Sequence, residues 1–229
     1  MQTQLVQEFR RNSQSLVNLA LGDIKTLWQA LDLSDGKVVR FALEDFLPDL
    51  VEDYGQAGAV LAAEYYEDLR EVSEIPGRFT AISQPPPPPE AVKVSSRWAV
   101  GPLFQGDKAS PEDALTLVAG MAQRHVMQAA RDTIFRNAEK DRTRPRFARV
   151  PSGKDTCNFC LILASRGAVY TSERDAGKGN KYHDNCWCVP TLAWKPSDLP
   201  DGYDPDALYE RYKNAHNPGM TLQEVIRNL

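Results

Sequence analysis

Apolar residues recur along most of the chain at three- and four-residue steps, the period of a helix with one buried face. Over residues 3–31 the series is Leu5, Phe9, Leu16, Leu19, Ile24, Leu27, Trp28 and Leu31, which predicts one long amphipathic helix closed by the turn signal Ser34-Asp35-Gly36. A second series follows in Phe46, Leu50, Tyr54, Leu61, Tyr65 and Leu69, with Pro48 near its start. Proline suits a helix's first turn and kinks an interior, so the continuous part is expected from about Leu47 to the breaker Ile75-Pro76-Gly77. Ser110 and Pro111 then supply an N-cap and a first helical residue for a third helix. Its stripe is Leu115, Val118, Ala119, Ala122, Val126, Ala129, Ala130 and Ile134. His125 lies in this helix far from any cysteine in sequence, and reads as a packed or surface residue rather than a ligand.

Between the second and third helices, Pro85 through Pro89 favour a stiff, extended segment. It reads as a connector that sets the distance between helical layers rather than as a ligand for an aromatic groove. Downstream, Asp201 to Asp206 form a turn, and Leu208–His216 and Thr221–Leu229 read as two short helices. The expected class is mainly α, in the α+β sense: long amphipathic helices plus a small C-terminal α+β module. The expected divisions are an N-terminal helical region at 1–75, a Pro-rich extended connector at 76–110 and a helix at 111–143. A Cys/His module at 144–200 and a helical tail at 201–229 complete them.

Composition acts mainly by exclusion. The chain has 229 residues, 42% of them hydrophobic, enough to bury a core. Lys plus Arg number 27 against 31 Asp plus Glu, a net charge of -4, which argues against coating nucleic acid by charge alone. No run approaches the roughly 18 apolar residues of a membrane span. The first residues lack the apolar stretch of a signal peptide, so a reducing cytosol is the expected environment. Glu44, Asp45, Asp49, Glu52, Asp53, Glu64, Glu67, Asp68, Glu71 and Glu74 face only Arg70 in the second helix and read as a solvated face. Past residue 134 the sign reverses: Arg136, Lys140, Arg142, Arg144, Arg146 and Arg149 meet only Glu139 and Asp141. Such a strip can bind phosphate or pair with the acidic helix. Phe135 and Phe147 alone make no stacking platform, which favours pairing, either within the chain or between subunits of a homo-oligomer. Arg142, Arg144, Arg146 and Arg149 are the candidate nucleic-acid or partner contacts.

The cysteines carry the most specific pattern. Cys157-Asn158-Phe159-Cys160 is a CxxC, and after residues 161–182 comes His183-Asp184-Asn185-Cys186-Trp187-Cys188, an HxxCxC. A tight turn lets both sulfurs of the first pair reach one ion, and a second pair across a loop closes a tetrahedron, the arrangement of a structural zinc. Cys157, Cys160, His183, Cys186 and Cys188 compete for four positions. The first choice is Cys157, Cys160, His183 and Cys188, with Cys186 a spare or an alternative to His183. If residues 186–190 are extended, Cys186 and Cys188 share a face. Unliganded thiols and a disulfide or redox pair remain as alternatives; no βαβ pattern supports a thioredoxin-type site. A short helix from Leu161, a glycine turn at Gly167 and a strand through Val169 and Tyr170 are expected between the pairs. The loop Ala176–Asn180 lacks the register of a phosphate-binding loop. Ser165, Ser172 and Glu173 form no triad and read as turn and cap residues.

The run from Asp155 through Trp194 resembles the MuF-like minor capsid, or head morphogenesis, proteins of tailed bacteriophages, in the form common among phages of actinobacteria. The residues that carry the resemblance are Cys157-Asn158-Phe159-Cys160, Leu163 to Gly167 with Val169-Tyr170, and His183 to Cys188. Tyr54-Gly55 through Tyr65-Tyr66 and the Pro-rich segment leading to Arg97-Trp98 are similar in order and spacing. Where that family often has proline after its histidine and arginine between its last two cysteines, this chain has Asp184 and Trp187. The resemblance implies a non-enzymatic virion protein of low copy number inside the head, made in the host cytoplasm. It implies association with the portal protein, possible contact with major capsid protein, scaffold or packaged DNA, and a role in assembly or DNA packaging and exit. Some relatives are fused to a maturation protease or a toxin domain, for which the expected layout leaves no room. Two further readings stand beside it: a zinc-bearing nucleic-acid-binding module, and an enzyme such as a metal-dependent nuclease or an ADP-ribosyl transferase.

Overall fold

In the first helix, α1 (Gln2–Ala30), the buried residues are Val6, Phe9, Ser13, Val17, Ala20, Ile24 and Trp28. Steps of three and four keep them on one face. This computed structural model describes residues 1–151, 157–170 and 182–228. The stripe is not the one the leucines suggest: Leu16 is half-buried and Leu19 is exposed. Small side chains at Ser13, Val17 and Ala20 allow close approach of the neighbouring helices, and the leucines fall to the rim.

Helix α2 (Gly36–Val72) is capped by Asp35, whose carboxylate accepts from the N–H groups of Lys37 and Val38. It runs unbroken through Pro48, so the expected start near Leu47 is corrected. An interior proline costs about 3 kcal/mol, but Leu43, Leu47, Leu50 and Val51 are buried on either side of it and hold the helix together. The acidic residues of α2 are mostly exposed, whereas Arg70 turns inward and pairs with Asp141. The Asp141 carboxylate also accepts from Tyr66 and Thr143, which locks α2 to the end of the central helix.

That central helix, after the short α3 (Pro89–Ala99), is α4 (Pro111–Lys140). Ser110 caps it as expected, its Oγ accepting from Asp113 N at 3.2 Å. Helices α2 and α4 cross closely because Gly58 faces Ala130 and the Val126 carbonyl: a Cβ there would lie 3.7 Å from the one and 3.8 Å from the other. His125 is buried against α3, its Nε2 2.9 Å from Ser95 Oγ.

The segment read as a connector is extended only as far as Pro88. Pro89 opens α3, where a proline is tolerated, and Val92, Ser96 and Ala99 bury its inner face. Two short 3-10 turns, Gly101–Phe104 and Gly106–Lys108, complete the stretch. The extended part is a strap on the bundle. Ile82 N donates to Asn137 Oδ1 and Ile82 O accepts from Asn137 Nδ2, both at 2.9 Å, and Gln84 N donates to Thr133 Oγ1 at 2.9 Å. Side chains of α4 thus supply the partners that a neighbouring strand would otherwise provide.

Beyond α4, strands β1 (Arg146–Val150) and β2 (Val189–Ala193) form an antiparallel pair with Arg146 opposite Ala193 and Val150 opposite Val189. The strand expected at Val169–Tyr170 reduces to one bridge, Phe147 to Tyr170. Helix α5 (Asn158–Ala164) carries the CxxC, and α6 (Pro205–Ala215) and α7 (Leu222–Asn228) close on it through Ile162, Ala215 and Val225. One core cluster joins α1, α2, α3 and the first half of α4. The other joins Phe9, Tyr65, Tyr66, Leu69, Ile134 and Phe135 to Phe147, Leu192 and the buried cysteines. The fold is therefore mainly helical with a small sheet, and the Cys/His segment shares its core with the long helices. Among the described residues, no helix is long and apolar enough to cross a membrane.

Candidate metal centre

The CxxC works through the start of α5. Cys157 is the N-cap, and its sulfur accepts from Cys160 N at 3.3 Å. The first helical turn then brings Cys160 to the same side, where it is 1% exposed. Ser165 closes the helix with its Oγ donating to Ile162 O, the cap role expected of it. Ser172, Glu173 and the loop Ala176–Asn180 lie outside the described residues.

The second half is a tight turn. Cys186 N donates to His183 O at 3.2 Å, and Asn185 takes the left-handed conformation such a turn requires, with φ 62. Helix α4 holds it in place. Gly120 leaves room for the turn: a Cβ there would come within 3.1 Å of Asp184 Cβ. Arg124 Nε donates to Asp184 Oδ1 at 2.6 Å. Gln123, next to Arg124, and Arg131, two turns beyond, both donate to the Cys186 carbonyl, from Gln123 Nε2 at 3.0 Å and Arg131 NH2 at 2.7 Å. Trp187, where the resembling family often has arginine, packs against the core cluster of α1, α2, α3 and α4.

These two halves bring five donors together as two overlapping groups. Cys157, Cys160 and His183 form one, and Cys160, Cys186 and Cys188 the other; the ligand atoms within each lie within 4.8 Å of one another. His183 Nε2 is 2.8 Å from Cys157 Sγ and 3.6 Å from Cys160 Sγ, and Cys160 Sγ is 3.5 Å from Cys186 Sγ. His183 Nδ1 lies 2.6 Å from the Asp184 carbonyl, to which it donates when it carries the proton. That tautomer leaves Nε2 with a lone pair aimed at the cysteines, the orientation a metal ligand needs. Cys160 belongs to both groups. Cys186, the spare of the first-choice set, is buried, and its sulfur is as close to Cys160 Sγ as His183 Nε2 is.

The electrostatics fit a cation. Cys186 is held far below the ordinary thiol range, chiefly by hydrogen bonds from the Cys160 and Cys188 thiols and further by Arg131. Those same contacts push Cys160 up, and Cys188 rises with the buried Cys186 thiolate beside it. Protein groups alone therefore favour the thiolate at Cys186 and disfavour it at Cys160 and Cys188. A divalent ion shared among them lets all ionise together. Both groups can hold a metal ion, and the donors are of the nitrogen and sulfur type that zinc prefers.

The predicted basic strip divides. Arg142, Arg144 and Arg146 are exposed and form no ion pair among the described residues, so pairing with the acidic face of α2 is not seen. Arg149 is 3% exposed and does not belong to a surface strip. Both faces of β1 are covered after Arg146, so Arg149 turns inward over the Tyr182 ring, with NH1 3.8 Å from Cys160 Sγ. Sequence reasoning missed Gln123, Arg124 and Arg131. The signal that could have found Gln123 and Arg131 is their spacing of two helical turns, which puts both polar residues on one face of α4 with the buried Met127 between them.

A family model described as VG15 protein matches residues 1–215. No curated protein and no solved structure matches the chain. With its long helices and its cysteine–histidine turn both inside the matched span, the chain belongs to the VG15 protein family, a family of viral (phage) proteins.

Proposed function

We propose that this chain is a minor structural protein of a tailed-phage virion, and that its cysteine–histidine cluster holds one structural zinc ion. The observation that carries the reading is the cluster itself: Cys160, Cys186 and Cys188 are buried in the core of the long helices, with Cys157 and His183 at its edge. Family membership supports association with the virion. The resemblance of the Cys157–Cys188 segment to head morphogenesis proteins supports the narrower role: a few copies inside the capsid at the portal, acting in head assembly or DNA packaging and exit. Portal protein, with major capsid protein or scaffold beside it, is the proposed partner.

The zinc would be held by Cys157 and Cys160 with two of His183, Cys186 and Cys188. It would supply a rigid crosslink between α5 and the turn docked on α4, and no reaction. His183, drawn into the sulfur cluster, is then not available as a general base. Peptide mass spectrometry of gradient-purified heads and mature particles tests the role. Peptides at a low, fixed ratio to the major capsid protein support it, presence in immature heads alone points to an assembly factor, and absence from both overturns it.

A second reading rests on the exposed, unpaired Arg142, Arg144 and Arg146: contact with packaged DNA. Steep salt dependence of DNA binding that weakens when these arginines are neutralised would favour it. Absence of turnover on plasmid DNA with added divalent metals would remove the nuclease reading.

A further inference from the structure

Two buried guanidinium groups flank the metal site, Arg149 beside Cys160 and Arg131 on α4, and the second is the one to explain. Arg131 is 2% exposed, and among the described residues its Nε and NH1 have no hydrogen-bond partner. Only NH2 is engaged, donating to the Cys186 carbonyl at 2.7 Å and lying 3.6 Å from the Met127 sulfur. The guanidinium covers the Tyr182 ring at 3.6 Å. No carboxylate among the described residues pairs with it, in contrast to Arg70, the other buried arginine of the long helices, which has Asp141. A buried cation with unfilled donors is strongly disfavoured unless a negative charge lies close by. The nearby groups able to supply one are the sulfurs of Cys186 and Cys188.

We propose that Arg131 is the buried counter-charge of an anionic metal–thiolate centre. The inference rests on the metal reading above and deepens it. A divalent ion bound by three or four thiolates is a net anion, and on the side of the buried Cys160, Cys186 and Cys188 that charge has to be met by protein groups. Arg131 meets it from α4 and, through the Cys186 carbonyl, fixes the turn that carries Cys186. Arg131 touches no metal; it is a positioning and charge-balancing residue. Two consequences follow. Cys186 belongs in the ligand set as a thiolate, and the site selects thiolate-seeking ions such as zinc and cobalt over hard ions such as magnesium and calcium.

The test is titration of the full, reduced chain with cobalt(II), read by thiolate-to-cobalt absorption, followed by zinc competition against a chromophoric chelator. Wild type is compared with R131M, R131Q and R131K. R131M and R131Q are expected to bind zinc about 10–100-fold more weakly, the range for losing a supporting contact of a metal site. R131K, which keeps the charge, recovers most of that loss. Metal-free R131M is expected to be as stable as metal-free wild type or more so, because a methionine there leaves no uncompensated cation. Zinc affinity in R131M equal to wild type overturns the proposal, as does a metal-free R131M that fails to fold by circular dichroism, since either result assigns Arg131 to packing. Wild type that binds neither ion overturns the metal reading itself, a result distinguishable from the other two.

Discussion

Cys160 is the residue on which both donor groups converge, its sulfur 3.6 Å from His183 Nε2 and 3.5 Å from Cys186 Sγ. Its replacement should therefore be the most damaging single change at the site. Native mass spectrometry of Cys160→Ser is expected to show no bound metal. Cys186→Ser is expected to lose the ion as well, and loss or retention in His183→Ala shows whether the histidine is also a ligand. At this scale the sequence was informative about the donors and silent about their surroundings. CxxC and HxxCxC are local spacings, so the five donors could be named from them. Arg149 could not be assigned from its row of charges, because the coverage of β1 on both faces is set by residues far away in the chain. Arg131 gave a weak signal for the same reason: its partner, the Cys186 carbonyl, lies 55 positions away.

The elements show the same division between local and distant causes. Helix α1 follows from periodicity and α4 from periodicity and its Ser110 cap, but the path of α2 through Pro48 depends on burial on both sides of the proline, which no local rule supplies. The strap depends likewise on Asn137 and Thr133 of α4. Asn137→Ala strips both polar groups of Ile82 of their partners, and is expected to cost about 1–3 kcal/mol for the groups left unsatisfied. Urea unfolding at unchanged slope is the measurement; a midpoint equal to wild type would mean that water replaces the side chain. The α3–α4 contact carries a pH dependence. Burial, aided by Arg124, pushes His125 down from 6.5 to about 4, with Asp184 opposing. The unfolded chain then binds the proton more readily than the folded one, so this contribution is intact above about pH 6.5 and is lost as pH falls toward 4. Thermal midpoints of wild type should fall relative to His125→Gln across that window. Parallel curves would show that His125 titrates alike in both states.

For the whole molecule, the buried cysteines lie in the same core as Phe9, Tyr65, Leu69 and Phe135, so metal release should be felt by the helices and not by the C-terminal segment alone. If the ion is present at about 1,000 times its dissociation constant, it contributes about 4 kcal/mol. For a chain of this size, that corresponds to roughly 8–16 °C in midpoint. A chelator is expected to lower the helical melting transition by that order while keeping it single; a separate early transition confined to the sheet would show two independent units. The helical class and the existence of a clamped C-terminal segment were readable from periodicity and cysteine spacing. That the segment has little core of its own also follows from its sequence, but that Phe9, Tyr65, Tyr66, Leu69 and Phe135 of α1, α2 and α4 complete that core was not readable. The most direct single test is native mass spectrometry of the full chain, purified under reducing, zinc-replete conditions. A mass corresponding to one zinc ion per chain, displaced only on unfolding or by strong chelation, is the expected result. A metal-free mass with four free thiols in a fully folded protein would contradict the metal centre and the structural role built on it.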